Sequence, residues 1–151
     1  MGIASNADLP PDSDFLTVGP TRIVIFTTSQ TSKKQLEFLR SHGVDDFVHE
    51  TARVDLTQAL HTLKEIEVDR LMVEGGATLN FEFLRLGLVD ELTAYVAPMV
   101  FGGETAPTLA AGPGLVRSAA IPLKLVEAET WEDGGVLLKY KITNRAERNV
   151  V

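Results

Sequence analysis

The run Val73-Glu-Gly-Gly-Ala-Thr-Leu79 holds the residues best suited to chemistry. It follows a stretch that reads as a buried strand and opens a stretch patterned as a helix. Two successive glycines let a ligand approach the backbone closely. The helix behind them would present unpaired N–H groups and the positive end of its dipole. Together these features make an anion site suited to a pyrophosphate. The same turn could equally be a tight strand-to-helix connection, because the pattern is neither GxGxxG nor a P-loop. Glu74 falls at the carboxyl end of its strand, where ligands gather in open α/β sheets. It could orient a substrate hydroxyl or lie beside a nicotinamide, or it could be a solvated strand-end carboxylate.

Thr27, Thr28 and Ser29 end another strand on the same expected edge, and their hydroxyls could take a ribose or a 2′-phosphate. A helix-capping loop would use the same residue types. Arg53 could pair with a phosphate or be solvated. Gly102-Gly103 and Gly112-Pro-Gly114 could shape a second ligand loop or merely connect elements. His42, His49 and His61 show no metal-ligand spacing with each other or with the carboxylates, so no metal site is expected. No Ser-His-Asp set or nucleophile elbow is present.

These groups need a scaffold, and the hydrophobic pattern supplies one. Arg22-Ile-Val-Ile-Phe26 is a short, β-branched apolar run that reads as a buried strand. Ser32 with Gln35 resembles a capping box for a helix carrying Leu36 and Leu39, and His42-Gly43 is its expected stop. Phe47-Val48 is a weak strand. Asp55 with Gln58 opens a second helix, its stripe Leu56, Leu60 and Leu63, running to about Glu67. Arg70-Leu-Met-Val-Glu74 is expected as a buried strand, followed by a helix with Leu79, Phe83 and Leu86 on one face and Gly87 at its C′ position. Leu92, Ala94 and Val96 alternate in a further strand. Leu123 to Thr130 and Val136 to Ile142 pair as a hairpin about Trp131-Glu-Asp-Gly-Gly135, with Trp131 packing over it. The order implies an α/β fold with a largely parallel sheet, helices on its faces and an antiparallel hairpin at one edge. Residues 1–20 are polar and proline-rich and read as an arm, 21–145 as the domain, and 146–151 as a charged tail.

The totals narrow the function. The 151 residues carry a formal net charge of −7, which disfavours a general nucleic-acid role. An anionic ligand would need local help from backbone N–H groups and one or two cations. Cysteine is absent, which excludes disulfides and thiolate catalysis and fits a cytoplasmic protein. No apolar run is long enough to cross a bilayer, and the opening residues lack the basic start and apolar stretch of a secretory signal. Met1-Gly2 begins like a myristoylation site, but Asn6 occupies the required hydroxyl position.

Val73-Glu-Gly-Gly-Ala-Thr-Leu-Asn80, continuing through Gly87-Leu-Val-Asp-Glu-Leu92, Ala97-Pro98, Phe101-Gly-Gly103 and Ala106-Pro107, resembles the riboflavin-biosynthesis reductases of dihydrofolate-reductase-like fold. Within them it is most similar to the archaeal and fungal 2,5-diamino-6-(ribosylamino)pyrimidinone 5′-phosphate reductases; the bacterial counterpart is the reductase domain of the bifunctional deaminase/reductase. Weaker similarity covers residues 21–143. The resemblance implies NADPH as hydride donor and a phosphorylated pyrimidine as substrate. The substrate's ribose ring opens and its C1′ carbon is reduced, leaving a ribityl chain. It also implies a homodimer, with the cofactor against Glu74, Gly75, Gly76, Ala77 and Thr78 and against the segment Thr27 to Gln30. The family's Asp-Gly and Gly-x-x-Thr…Asp-Asp-Pro motifs find no counterpart, although Leu16-Thr17-Val18 resembles the stretch after the second. Two expectations follow: an NADPH-dependent reductase, or a non-catalytic family member that keeps a nucleotide-binding fold.

Overall fold

A computed structural model describes residues 1–17 and 19–143. The charged tail expected at 146–151, and Val18, lie outside them. The chain divides into two compact units, Met1–Arg70 and Leu71–Val151.

The first unit is built on a parallel sheet in the order β1-β2-β3, with β1 at Gly2–Ile3, β2 at Ile23–Thr28 and β3 at Val44–His49. Every residue of β2 is buried, as a central parallel strand covered on both faces requires. Its register with β3 sets Phe26 opposite Phe47, with ring centroids 5.2 Å apart. Helix α2, Lys33–Ser41, starts at Ser32, whose hydroxyl accepts from the Gln35 N–H at 3.2 Å. Only half of the expected capping box forms, because the Gln35 side chain donates instead to the Leu9 carbonyl at 3.0 Å. Helix α3, Leu56–Glu65, is capped by Asp55 through the Gln58 N–H, and it buries Leu56, Ala59 and Leu63.

Residues 1–20 correct the reading of a polar arm. Gly2–Ile3 adds a strand to β2, Asp14–Thr17 forms the short helix α1, and Ala7 joins Ile23, Ile25, Leu39 and Val44 in the core. Leu9, Phe15 and Leu16 pack against that cluster. The apolar residues of this segment follow neither a helical nor a strand period, so each anchors a separate point of an irregular path.

The second unit holds helix α4, Ala77–Arg85, and an antiparallel sheet in the order β4-β6-β5, formed by Glu91–Val96, Val136–Ile142 and Leu123–Thr130. The final hairpin forms as expected. Its antiparallel ladder also takes in β4, so among the described residues the expected α/β fold carries a parallel three-stranded sheet and an antiparallel three-stranded one. Arg70 to Glu74 is not a strand, and Met72 is 79% exposed. An apolar run becomes a strand only through a ladder, and no strand among the described residues pairs with this one. Helix α4 buries Phe81 and Phe83, whereas Leu86 is exposed. Gly87 takes the left-handed conformation expected at C′.

At the hairpin turn, the rings of Tyr95 and Trp131 meet with centroids 5.1 Å apart. The Tyr95 hydroxyl donates to Asp133, which also accepts from the Gly135 N–H at 2.9 Å. These bonds raise the Tyr95 phenol above its usual pKa and lower the Asp133 carboxyl below its own.

The loop between β4 and β5 is tied to α4. The Ala111 N–H donates to the Ala77 carbonyl at 2.9 Å, and the Asn80 amide donates to the Leu109 carbonyl at 3.0 Å. Gly112 lies on the Phe81 ring so closely that a Cβ there would sit 2.6 Å from Cδ1. Gly112→Ala should therefore destabilise the protein by about 1–3 kcal/mol through overpacking. Thermal unfolding would show it, and adding Phe81→Leu should recover part of the loss.

Candidate nucleotide-binding residues

The Gly-Gly run forms the junction expected of it. Gly76 is the N-cap of α4, extended at φ −65° and ψ 170°, and no side chain caps the helix. Its carbonyl accepts the first helical bond, from the Asn80 N–H at 3.0 Å. The N–H groups of the first turn are thus left without a side-chain acceptor, next to the positive end of the helix dipole. The Gly75–Gly76 peptide is cis. Gly75 has φ +147°, and a Cβ placed on either glycine would meet nothing within 4 Å. The space before the helix is therefore open, and the backbone reaches it unobstructed. A diphosphate fits this donor set: it needs several N–H donors, a favourable dipole and no intervening side chain.

Glu74, Gly76 and Thr78 are exposed, and Gly75 and Ala77 partly so. The Glu74 carboxylate makes no hydrogen bond or ion pair among the described residues. Gly112 serves as a packing point for α4.

Thr27, Thr28 and Ser29 belong to the first unit, and the structure separates their roles. Thr27 and Thr28 are 0% exposed. The Thr28 hydroxyl donates to the Ser5 carbonyl at 2.7 Å, and Thr27 Oγ1 lies 2.6 Å from Thr31 Oγ1. Their side chains are engaged inside the protein. Their place at the end of a strand buried on both faces is the reason. Ser29, one residue further, is exposed. Arg53 is also exposed and forms no ion pair among the described residues. No helix is long and apolar enough to cross a membrane, and no group of three or more potential metal ligands occurs among the described residues.

A glycine-led, uncapped helix start in an α/β chain is an arrangement that can take an anion, and comparison with known proteins gives the family. Residues 3–138 match the RibD C-terminal domain, and the chain belongs to that family. It is 36% identical over 113 residues to the 2,5-diamino-6-ribosylamino-4(3H)-pyrimidinone 5′-phosphate reductase of Aquifex aeolicus, covering 75% of this chain and 50% of that protein. It is 38% identical over 124 residues to the riboflavin biosynthesis protein RibD of Actinobacillus pleuropneumoniae, covering 80% and 32%. The crystal form 1 structure of Acinetobacter baumannii RibD superposes with a TM-score of 0.71 at 25% identity, covering 91% and 35%. The chain thus spans half or less of the length of these relatives. The match begins at residue 3, so the segment read as an arm is part of the family domain. Residues 4–9 line the carboxyl edge of the first unit's sheet, and the sequence signal for it was the hydroxyl cluster Thr27, Thr28 and Thr31, which needs partners once buried.

The two glycines should respond differently to substitution. Gly75→Ala forces a side chain onto a left-handed φ and should destabilise the fold by about 1–3 kcal/mol. Gly76→Ala, with an ordinary φ and open space, should cost less, about 0.5–1 kcal/mol, because alanine is a poorer N-cap than glycine. Paired thermal or urea unfolding checks both.

Proposed function

We propose that this chain is the nucleotide-binding part of an NADPH-dependent reductase that converts the ribose of a (ribosylamino)pyrimidine 5′-phosphate to its ribityl form. The observation that carries the reading is the uncapped, side-chain-free N-terminus of α4 behind Gly75 and Gly76. It is supported by membership of a family whose relatives include a named pyrimidine reductase. The N–H groups of Gly76, Ala77 and Thr78 bind a cofactor phosphate, and Gly75 brings the backbone to it. Glu74, exposed and unpaired among the described residues just before this turn, orients a substrate hydroxyl. Ser29 offers its hydroxyl to a sugar or phosphate oxygen. When bound, the reduced nicotinamide supplies the hydride; the chain's task is to bind and align.

The reading includes a cytoplasmic homodimer that uses neither nucleic acid nor membrane. The absence of cysteine and the net charge of −7 support the compartment and the lack of nucleic acid. A second reading is a family member that keeps the nucleotide-binding fold without catalysis.

Titration of the purified chain with NADPH and separately with NADH, by calorimetry or nicotinamide fluorescence, tests the first reading. Saturable binding that prefers NADPH is expected. No binding of either by the folded chain would defeat it. Gly76→Val should raise the NADPH Kd by about tenfold or more, roughly 1.4 kcal/mol, by crowding the phosphate. Glu74→Gln should lower kcat by about tenfold or more while leaving NADPH affinity nearly unchanged. Binding without turnover of the pyrimidine substrate would select the second reading.

A further inference from the structure

β1, β2 and β3 run parallel, so the loops that leave their carboxyl ends share one edge of the sheet. Those loops are fastened to one another. The Ala4 N–H continues the β1 ladder to the Phe26 carbonyl at 3.1 Å. The Thr28 hydroxyl holds the Ser5 carbonyl at 2.7 Å, and the Ala7 N–H donates to Thr31 Oγ1 at 2.9 Å. Thr31 in turn shares a 2.6 Å hydrogen bond with Thr27. From the β3 side, the His49 carbonyl accepts from the Ser29 N–H at 3.1 Å, and the Gln30 amide donates to the Ala52 carbonyl at 2.8 Å.

Thr27, Thr28 and Thr31 are at most 4% exposed. Sheet packing alone does not call for hydroxyls at such positions: valine has nearly the same shape and needs no partner when buried. What the hydroxyls add is a fixed path for residues 4–9, a segment whose only regular structure is its junction with β1. Its exposed Asn6 belongs to the same fastened edge as the exposed Ser29 and Gln30. Such an edge offers amide and hydroxyl groups already ordered for the oxygens of a sugar phosphate, so less ordering entropy is lost on binding.

We propose that Thr27, Thr28 and Thr31 are positioning residues for nucleotide binding, acting through residues 4–9 rather than touching the nucleotide. This rests on the NADPH reading above. The test compares the parent chain with Thr31→Val and Thr31→Ser. NADPH fluorescence titration gives the Kd, and hydrogen exchange gives the protection of the Ala7 amide. Thr31→Val should speed exchange at Ala7 at least tenfold and raise the Kd at least tenfold in the folded protein; Thr31→Ser, which keeps the hydroxyl, should restore both. Should Thr31→Val fail to fold, Thr28→Val, which removes the shorter of the two hydroxyl bonds to the Ser5 carbonyl, should raise the Kd in the same way. Faster exchange with an unchanged Kd would overturn the proposal, because the latch would then be structural only. Unchanged exchange would overturn it by removing the latch. If the parent chain itself binds no NADPH, the functional reading fails and this proposal falls with it; a parent that binds, beside a variant that binds equally well, defeats the proposal alone.

Discussion

A strand buried on both faces has no water to satisfy whatever polar groups it carries, so each must find a protein partner. β2 is such a strand, and its last two residues are threonines with 0% exposure. An unsatisfied buried hydroxyl costs about 1–3 kcal/mol, so the chain must bring acceptors and donors to them. It does so with the carbonyl of Ser5 and the hydroxyl of Thr31, which itself accepts from the Ala7 N–H. That requirement draws the proline-rich opening segment into the first unit, where Ala7, Leu9, Phe15 and Leu16 then complete the core around Ile25 and Leu39.

The second unit meets the opposite situation. Helix α4 begins on a glycine with no side-chain cap, although Ser32 and Asp55 show that this chain caps helices where it needs to. An uncapped start leaves donors for something other than the protein. The loop at 109–112 reinforces the same turn from behind, through Ala111 on Ala77 and Gly112 on Phe81. The donors are thus held in place and open in front, a preorganised arrangement suited to binding an anion in an otherwise acidic chain.

Much of this was legible in the sequence. Ile23 to Phe26 was a strand because its apolar run is continuous, and Ser32 and Asp55 were helix starts because their side chains can reach an N–H three residues on. The Gly75-Gly76 junction and the helix after it were visible as a change of pattern at two glycines. Three things were hidden. The opening segment carries its apolar residues at no regular period, so pattern reading had nothing to detect. Arg70 to Glu74 has strand composition, but pairing is a non-local property and no partner strand is found for it. The partners that Thr27 and Thr28 take inside the protein were not readable either, because residue type says which bonds a hydroxyl can make and nothing about which partner is nearer.

The central claim is that the first turn of α4 binds a nucleotide phosphate through its backbone N–H groups. Amide chemical shifts of the 15N-labelled chain, followed while NADPH is added, test it most directly. Saturable shifts centred on Gly75, Gly76, Ala77 and Thr78 are the predicted result. NADPH that leaves these four amides unmoved, whether because it does not bind or because it binds elsewhere on the folded chain, would contradict the claim.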